Sequence, residues 1–262
     1  MLLENIKNIV SPEEWEARVE LATAYRACYY LGYEKSTFGH LSARVPGEPD
    51  SMLLNPFGLG FDEITASNLV KVNKDKKILI ENGYSLNEAA WNIHSGIMFN
   101  SPDINAIMHL HTLDGSAVSA QKNGFLPLCQ DSVLFFDKIA YHDFEGIVIN
   151  PDEAPRLLKD LGDKNVLVLR NHGNIYVGSS LAETFFYMFF FEKACSIQIR
   201  ALSGEVSPIS AQIVSEIPKE RDIVLNSMQH DANGKSNVEL SYHIIFDMWK
   251  RRMKKLFPDV TT

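Results

Sequence analysis

Three histidines in this chain have the spacing of metal ligands. His109 and His111 flank Leu110 within residues 105–111, an apolar run typical of a short buried strand. Because alternate side chains of a strand share a face, Ile107, His109 and His111 point the same way and the two imidazoles converge. Two hydrogen-bonded histidines on a half-exposed strand would give the same pattern, so the pair alone leaves both interpretations open.

A third candidate ligand follows another apolar run. His172 lies in the tetrapeptide 170–173, which ends in glycine and comes directly after the apolar residues 166–169. Three imidazoles leave coordination positions open, which is typical of a catalytic metal. We therefore predict one divalent metal per subunit on His109, His111 and His172. Zinc is the first choice, and iron, manganese and cobalt are the alternatives.

Composition favours a cytoplasmic protein that acts on a small molecule. The 262 residues carry a formal net charge of −8, and the basic residues are dispersed except near the C-terminus, so nothing suggests nucleic acid binding. Cys28, Cys129 and Cys195 are odd in number and far apart, as expected for reduced thiols. We expect no signal peptide and no membrane partner, because no apolar run approaches the ~20 residues of a membrane span.

Helix signals recur along the chain. Ser11 and Pro12 have the types expected at the N-cap and first position of a helix that ends at Gly32. Ser85 and Glu88 have the spacing of a capping box, which predicts a helix from residue 85 to about residue 99. Further helices are predicted at 113–121, 152–161, 181–203 and 238–256.

Strand signals lie mainly between the first two long helices and around the histidines. Short apolar or alternating runs predict strands at 40–45, 51–55, 69–72, 77–80, 105–111, 146–149 and 166–169. The Ser-, Pro- and Ile-rich residues 206–218 are expected to form a connector. The alternation of helices and strands predicts an α/β fold with a mixed sheet.

The helix around residues 185–191 is apolar on nearly every side, because five of these seven residues are phenylalanines. Such a helix must be buried on several sides, either within its own subunit or by a neighbouring one. We favour the neighbouring subunit and predict a homo-oligomer.

The order of several segments resembles the class II aldolase/adducin family from about residue 11 to residue 204. The matching segments are Gly39-His40-Leu41-Ser42-Ala43-Arg44, Leu54-Asn55-Pro56-Phe57-Gly58, residues 63–70, residues 100–103, His109-Leu110-His111 and Arg170-Asn171-His172-Gly173. The resemblance implies a three-layer α/β/α domain on a central, mainly antiparallel mixed sheet. It also implies a homotetramer with the site between subunits and a divalent metal on the three histidines. We assign residues 1–204 to this domain and residues 205–262 to a C-terminal extension that packs on it or on a neighbouring subunit.

The sequence also departs from the family. Sugar-phosphate aldolases of the family place an acid/base glutamate at the position of Ala90, and Glu88 lies roughly 200° further round the helix. The expected phosphate-binding groups are replaced by His40, Phe57, Glu88 and Ala89. This pattern matches the branch with Gly-His in the first segment and predicts a substrate without phosphate.

These features predict a metal-dependent lyase that acts on an oxo- or hydroxy-carboxylate. A metal with open positions holds the negative charge of a forming enolate, so loss of CO₂ needs only a later protonation, from water or from a histidine such as His40 or His142. Two alternatives stay open. One is a non-haem iron oxygenase on an oxo acid, since three histidines also suit ferrous iron. The other is a non-enzymatic, adducin-like interaction module.

Overall fold

Seven strands form one sheet, and helices pack on both of its faces. The strands are β1 (His40–Val45), β2 (Glu48–Leu54), β3 (Val70–Asn73), β4 (Ala106–Leu110), β5 (Ile139–His142), β6 (Val166–Leu169) and β7 (Gly173–Gly178). The helices are α1 (Ile6–Ile9), α2 (Pro12–Leu31), α3 (Glu88–Met98), α4 (Leu113–Ser119), α5 (Gln130–Val133), α6 (Ala154–Leu161), α7 (Leu181–Ala201), α8 (Ala211–Met228) and α9 (Val238–Leu256). The structure, a computed structural model, describes residues 6–146, 153–228 and 238–262, so most of the predicted strand 146–149 lies outside the described residues.

The sheet has the strand order β3-β2-β1-β4-β7-β6-β5. Every neighbouring pair is antiparallel except β5 and β6, which run parallel. This arrangement confirms the predicted mainly antiparallel mixed sheet. Strand β4 lies at its centre between β1 and β7, with His109 opposite His40 on one side and opposite Ile175 on the other.

Alternation along β4 separates two hydrophobic layers. Met108 and its neighbours on the same face belong to a core cluster that contains residues of α2, α4, α7 and α9. Ile107 belongs to a second cluster with residues of α3 and α6. The face that carries Ile107 therefore also carries His109, as the period of two predicts. Two helical layers on the two faces give the expected α/β/α architecture.

Helix α7 is covered by elements of its own chain. The ring centroids of Phe185 and Phe246, on α7 and α9, lie 5.3 Å apart. Those of Phe186 and Tyr242 lie 5.1 Å apart. Helix α9 is also held against α2 by an ion pair of 2.9 Å between Lys250 and Glu20. Burial of this apolar helix therefore needs no neighbouring subunit, and the expectation of an oligomer loses this argument.

Three predicted elements differ from the structure. Helix α3 begins at Glu88 and not at Ser85, because Asn87 is the N-cap and its side chain accepts a hydrogen bond from the Ala90 amide. Ser85 is held outside the helix, where its carbonyl accepts from the Phe57 amide. The predicted connector 206–218 was wrong over its second half, because helix α8 begins there and contains Pro218.

A predicted strand at 77–80 was also wrong, since Ile78 forms only an isolated bridge to Val72. Among the described helices, none combines the length and the apolar character needed to cross a membrane.

Candidate metal centre

The structure brings His109, His111 and His172 together at one end of the central strands. His109 is in β4, His111 follows the end of that strand, and His172 lies in the hairpin between β6 and β7. One ligand nitrogen from each ring lies within 4.8 Å of the other two. Ring centroids are 4.6 Å apart for His109 and His111, 5.1 Å for His109 and His172, and 4.7 Å for His111 and His172.

The backbone explains why the hairpin reaches this point. Asn171 has a φ of 59°, a left-handed conformation that asparagine tolerates and that a tight hairpin turn requires. Gly173 follows, and a Cβ at that position would lie 2.5 Å from the Leu110 carbonyl oxygen and 2.8 Å from His111 Cδ2. Only glycine therefore lets the hairpin approach the end of β4 so closely that His172 meets His111.

Hydrogen bonds fix the orientation of His109. Its Nδ1 lies 3.0 Å from the Asn174 carbonyl oxygen. A carbonyl can only accept, so Nδ1 carries the hydrogen and Nε2 presents a lone pair. That Nε2 lies 2.8 Å from Nε2 of His111, which donates to it when no ion lies between them. An imidazole with Nδ1–H on a backbone carbonyl and Nε2 free for a metal is the usual arrangement of a histidine ligand.

Burial keeps the three imidazoles neutral. It lowers the pKa of His109 well below its usual value, and neighbouring imidazoles add to the effect. It also lowers the pKa of His111, and it lowers the pKa of His172 to about 4. Because a metal binds the neutral imidazole, the site is in its binding form at neutral pH. Three converging, neutral imidazoles fit a divalent metal of the zinc type.

A second set of histidines lies beside the triad. The ring centroids of His40 and His109 are 4.9 Å apart. His40 Nδ1 is 2.9 Å from His94 Nε2, and His94 Nδ1 is 2.6 Å from the Ser42 hydroxyl. Burial lowers the pKa of both His40 and His94. The result is a buried hydrogen-bonded chain from Ser42 through His94 to His40, next to the predicted metal.

His142 has surroundings of its own. Its Nδ1 donates to Asp160 Oδ2 at 2.7 Å, and its Nε2 lies 3.8 Å from carboxylate oxygens of both Glu145 and Glu153. His142 and His172 both line one small cavity. The structure thus places His142 near the triad but directs its two nitrogens towards carboxylates.

The structure also describes the positions that depart from the family pattern. Ala90 is completely buried in the hydrophobic cluster of α3 and α6. The Glu88 side chain is 66% exposed and pairs with Lys76 at 2.5 Å. Phe57 and Ala89 are exposed. Glu88 is therefore engaged at the surface, and position 90 carries only a buried methyl group.

Sequence reasoning missed the buried carboxylate behind the triad. Glu192 accepts hydrogen bonds from Thr112, Asn174 and Tyr176. Asn174 holds His109 through its carbonyl, and Thr112 directly follows His111, so Glu192 supports the segments that carry both ligands. Burial raises the pKa of Glu192 to about 7. The sequence feature that could have revealed Glu192 was a glutamate directly after the phenylalanine-rich run of helix α7.

A central antiparallel sheet with three histidines at one end defines a chain of the class II aldolase type. The family described as the class II aldolase and adducin N-terminal domain matches residues 19–199. This match spans more than half of the chain, so the chain belongs to the class II aldolase and adducin family.

Two relatives illustrate the breadth of this family. A Caulobacter vibrioides protein named "Putative aldolase class 2 protein" is 46% identical over 199 residues, which are 76% of this chain and 77% of that protein. Alpha-adducin from Rattus norvegicus is 40% identical over 194 residues, which are 73% of this chain but only 26% of alpha-adducin.

Solved structures show the same fold. An aldolase II superfamily protein from Pseudomonas syringae has a TM-score of 0.86 at 38% identity, with 98% of this chain and 99% of that chain covered. An L-fuculose 1-phosphate aldolase from Glaciozyma antarctica has a TM-score of 0.76 at 26% identity, with 93% and 92% covered. The similarity to the Pseudomonas syringae protein extends over the C-terminal helices as well.

Proposed function

We propose that the protein is a metal-dependent lyase that acts on a non-phosphorylated oxo- or hydroxy-carboxylate. The reaction is loss of CO₂ or a related carbon–carbon cleavage. The observation that carries this proposal is the combination of three converging, neutral imidazoles with the buried Ala90. The donor set supports binding of one divalent metal, with zinc expected first. Ala90 removes the glutamate on which sugar-phosphate aldolases of the family depend.

Each group of the site has a task in this reaction. A divalent ion held by His109, His111 and His172 supplies a Lewis acid that stabilises negative charge on substrate oxygens. The substrate carboxylate leaves as CO₂, and the electron pair of the broken bond stays on the neighbouring carbon. We assign delivery of the proton that replaces the carboxylate to Nε2 of His40, because its Nδ1 is already bonded to His94; the ring is neutral, so a proton from water returns to Nε2 after the transfer. The buried Ser42–His94–His40 chain keeps that ring in one orientation.

Assembly and location are part of the proposal. We expect a homotetramer, since the family resemblance implies one, and a cytoplasmic protein, since Cys28, Cys129 and Cys195 are all free thiols. The partner is a small molecule, and no nucleic acid or membrane is expected.

The adducin-like module is the second candidate, because 73% of the chain aligns with alpha-adducin at 40% identity. The oxygenase is the third outcome, since three neutral imidazoles also suit ferrous iron. A panel of oxo acids and sugar phosphates, assayed with zinc-, manganese- and iron-loaded protein for CO₂ release and O₂ uptake, separates the candidates.

The proposal expects CO₂ release from an oxo acid and no cleavage of sugar phosphates. His40→Gln should lower kcat by about 10²- to 10⁴-fold, the usual contribution of a positioned proton donor. His243→Gln, which changes a partly exposed histidine on α9, is the matched control and should leave kcat unchanged. Cleavage of a sugar phosphate would overturn the assignment of Ala90. O₂ uptake with iron alone would favour the oxygenase, and no turnover by metal-loaded protein would favour the module.

A further inference from the structure

A second cluster of ligand-type side chains lies outside the triad. It consists of His142 at the end of β5, Glu145 just beyond it and Glu153 immediately before α6. One nitrogen and two carboxylate oxygens of this cluster all lie within 4.8 Å of one another. A loop after a strand and the start of a helix are thus brought together around one imidazole nitrogen.

That nitrogen is buried and has no hydrogen-bond partner among the residues that the structure describes. The His142 side chain is only 5% exposed, and its Nε2 lies 3.8 Å from an oxygen of Glu145 and 3.8 Å from one of Glu153. These separations are too long for hydrogen bonds. They are shorter than twice a metal–ligand bond of about 2.1 Å, so an ion between these atoms can contact the nitrogen and either oxygen.

The other nitrogen of His142 is already fixed. Nδ1 lies 2.7 Å from Asp160 Oδ2, which holds the hydrogen on Nδ1 and directs the Nε2 lone pair towards the two glutamates. A carboxylate on the far nitrogen orients metal-binding histidines and makes them more basic. Asp160 therefore has the position of a supporting group and not of a ligand.

Burial of the Glu153 carboxylate costs free energy, and a nearby cation would offset part of this cost. Glu153 is the N-cap residue of α6, yet its side chain makes no capping hydrogen bond. It faces His142; burial raises the pKa of Glu153, His142 and Arg156 lower it, and the neighbouring Glu145 raises it further. A carboxylate buried beside another carboxylate is a position that a bound cation would stabilise.

The charged groups around His142 also favour a bound cation. Glu145 is bonded to the guanidinium of Arg156, with Nε at 2.9 Å and 3.0 Å from its two oxygens. Glu145, Glu153 and Asp160 place three carboxyl groups around His142, and Arg156 pairs with one of them. A divalent cation would add positive charge among these groups. Each carboxylate oxygen has a further lone pair, so the Arg156 bonds leave Glu145 able to bind an ion.

We infer that His142, Glu145 and Glu153 form a second divalent-cation site, distinct from the triad. One imidazole with two carboxylates suits an oxygen-preferring transition ion such as Mn²⁺. The ion would fasten the end of β5 to the start of α6. His172 and His142 line the same small cavity, so an ion bound at this second site would also support the segment beside the triad.

The test removes the triad first. A full-length variant with His109→Ala, His111→Ala and His172→Ala is freed of metal and titrated with Mn²⁺ alone, with free Mn²⁺ counted by electron paramagnetic resonance. The inference expects one bound ion per chain and nitrogen coupling from one imidazole in pulsed spectra. Because the triad is absent, this result is independent of the proposed lyase.

Substitutions in the same background identify the ligands. Glu153→Gln should weaken Mn²⁺ binding by at least ~10-fold, and Asp160→Asn by about 10- to 100-fold. Asp163→Asn changes an exposed carboxylate just beyond α6, which forms an ion pair with Lys164, and is the matched control. Circular dichroism of each variant verifies the fold. The inference is overturned if the triad-free chain binds no Mn²⁺, or if Glu153→Gln binds it as tightly as the control; the carboxylates would then surround an imidazolium.

Discussion

The buried carboxyl of Glu192 should make the stability of the metal-free protein fall as pH rises. Its side chain is 1% exposed and accepts hydrogen bonds from Thr112, Asn174 and Tyr176. Burial raises its pKa from 4.5 to about 7, because the charged form loses its hydration. Glu192→Gln replaces this titrating group by a neutral one of nearly the same shape.

The size of the effect follows from the two pKa values. A carboxyl with a pKa of about 7 in the folded chain and 4.5 in the unfolded chain corresponds to about 3 kcal/mol. The folded state holds the proton more tightly, so this group costs nothing below pH 4.5, where both states are protonated. The cost grows between pH 4.5 and about 7 and is constant above that. Relative to Glu192→Gln, the free energy of unfolding of the wild type should therefore decrease across this window, whereas the buried histidines, whose pKa values are lowered, affect both proteins equally.

Urea unfolding of chelator-treated protein, at one fixed protein concentration and several pH values between about 4.5 and 8, measures this slope. The difference in unfolding free energy between wild type and Glu192→Gln should change by about 3 kcal/mol over the window. Glu205→Gln removes the same charge from an exposed position and should keep the wild-type slope. Parallel curves for wild type and Glu192→Gln would refute the assignment of a buried, titrating carboxyl.

Three further predictions concern the triad and the assembly. Alanine at His109, His111 and His172 together should remove about one divalent metal per subunit by elemental analysis, and an unchanged metal content would end the assignment of the triad. Gly173→Ala should lower the free energy of unfolding by about 1–3 kcal/mol and weaken metal binding, because its Cβ would lie 2.5 Å from the Leu110 carbonyl oxygen. Gly204→Ala is the control, because a Cβ there has open space around it, and it should change neither property. Equal behaviour of the two variants in urea unfolding would contradict the packing argument. Light scattering should give a tetramer, and a monomer at micromolar concentration would rule out a site shared between subunits.

The sequence predicted best where periodicity was strong. Strand β1 and helix α9 have the predicted bounds, and the convergence of His109 and His111 follows from the period of two in β4. From the sequence, His172 could be assigned only to a glycine turn after an apolar run. Its meeting with His111 depends on strand β7, which returns beside β4 and which the short segment after Gly173 did not reveal.

The features that the sequence did not predict depend on contacts that no local sequence pattern indicates. Glu192 lies 80 residues from Thr112 in sequence, and an acid beside a run of phenylalanines does not identify its partner. Helix α8 was missed because Pro218 normally ends a helix, whereas here it is tolerated inside one. Tertiary packing therefore decided both cases against the local signal.

The covering of α7 by α9 has a consequence for how the chain is made. About 55 residues separate the ends of these helices, so at ~5–20 residues per second the ribosome needs roughly 3–11 s to complete α9 after α7. During that interval the phenylalanine-rich surface of α7 has no cover from α9, and the long sequence separation makes its closure slow. The nascent chain is therefore most prone to aggregate just before synthesis of α9 ends, a time when binding by a chaperone would protect it.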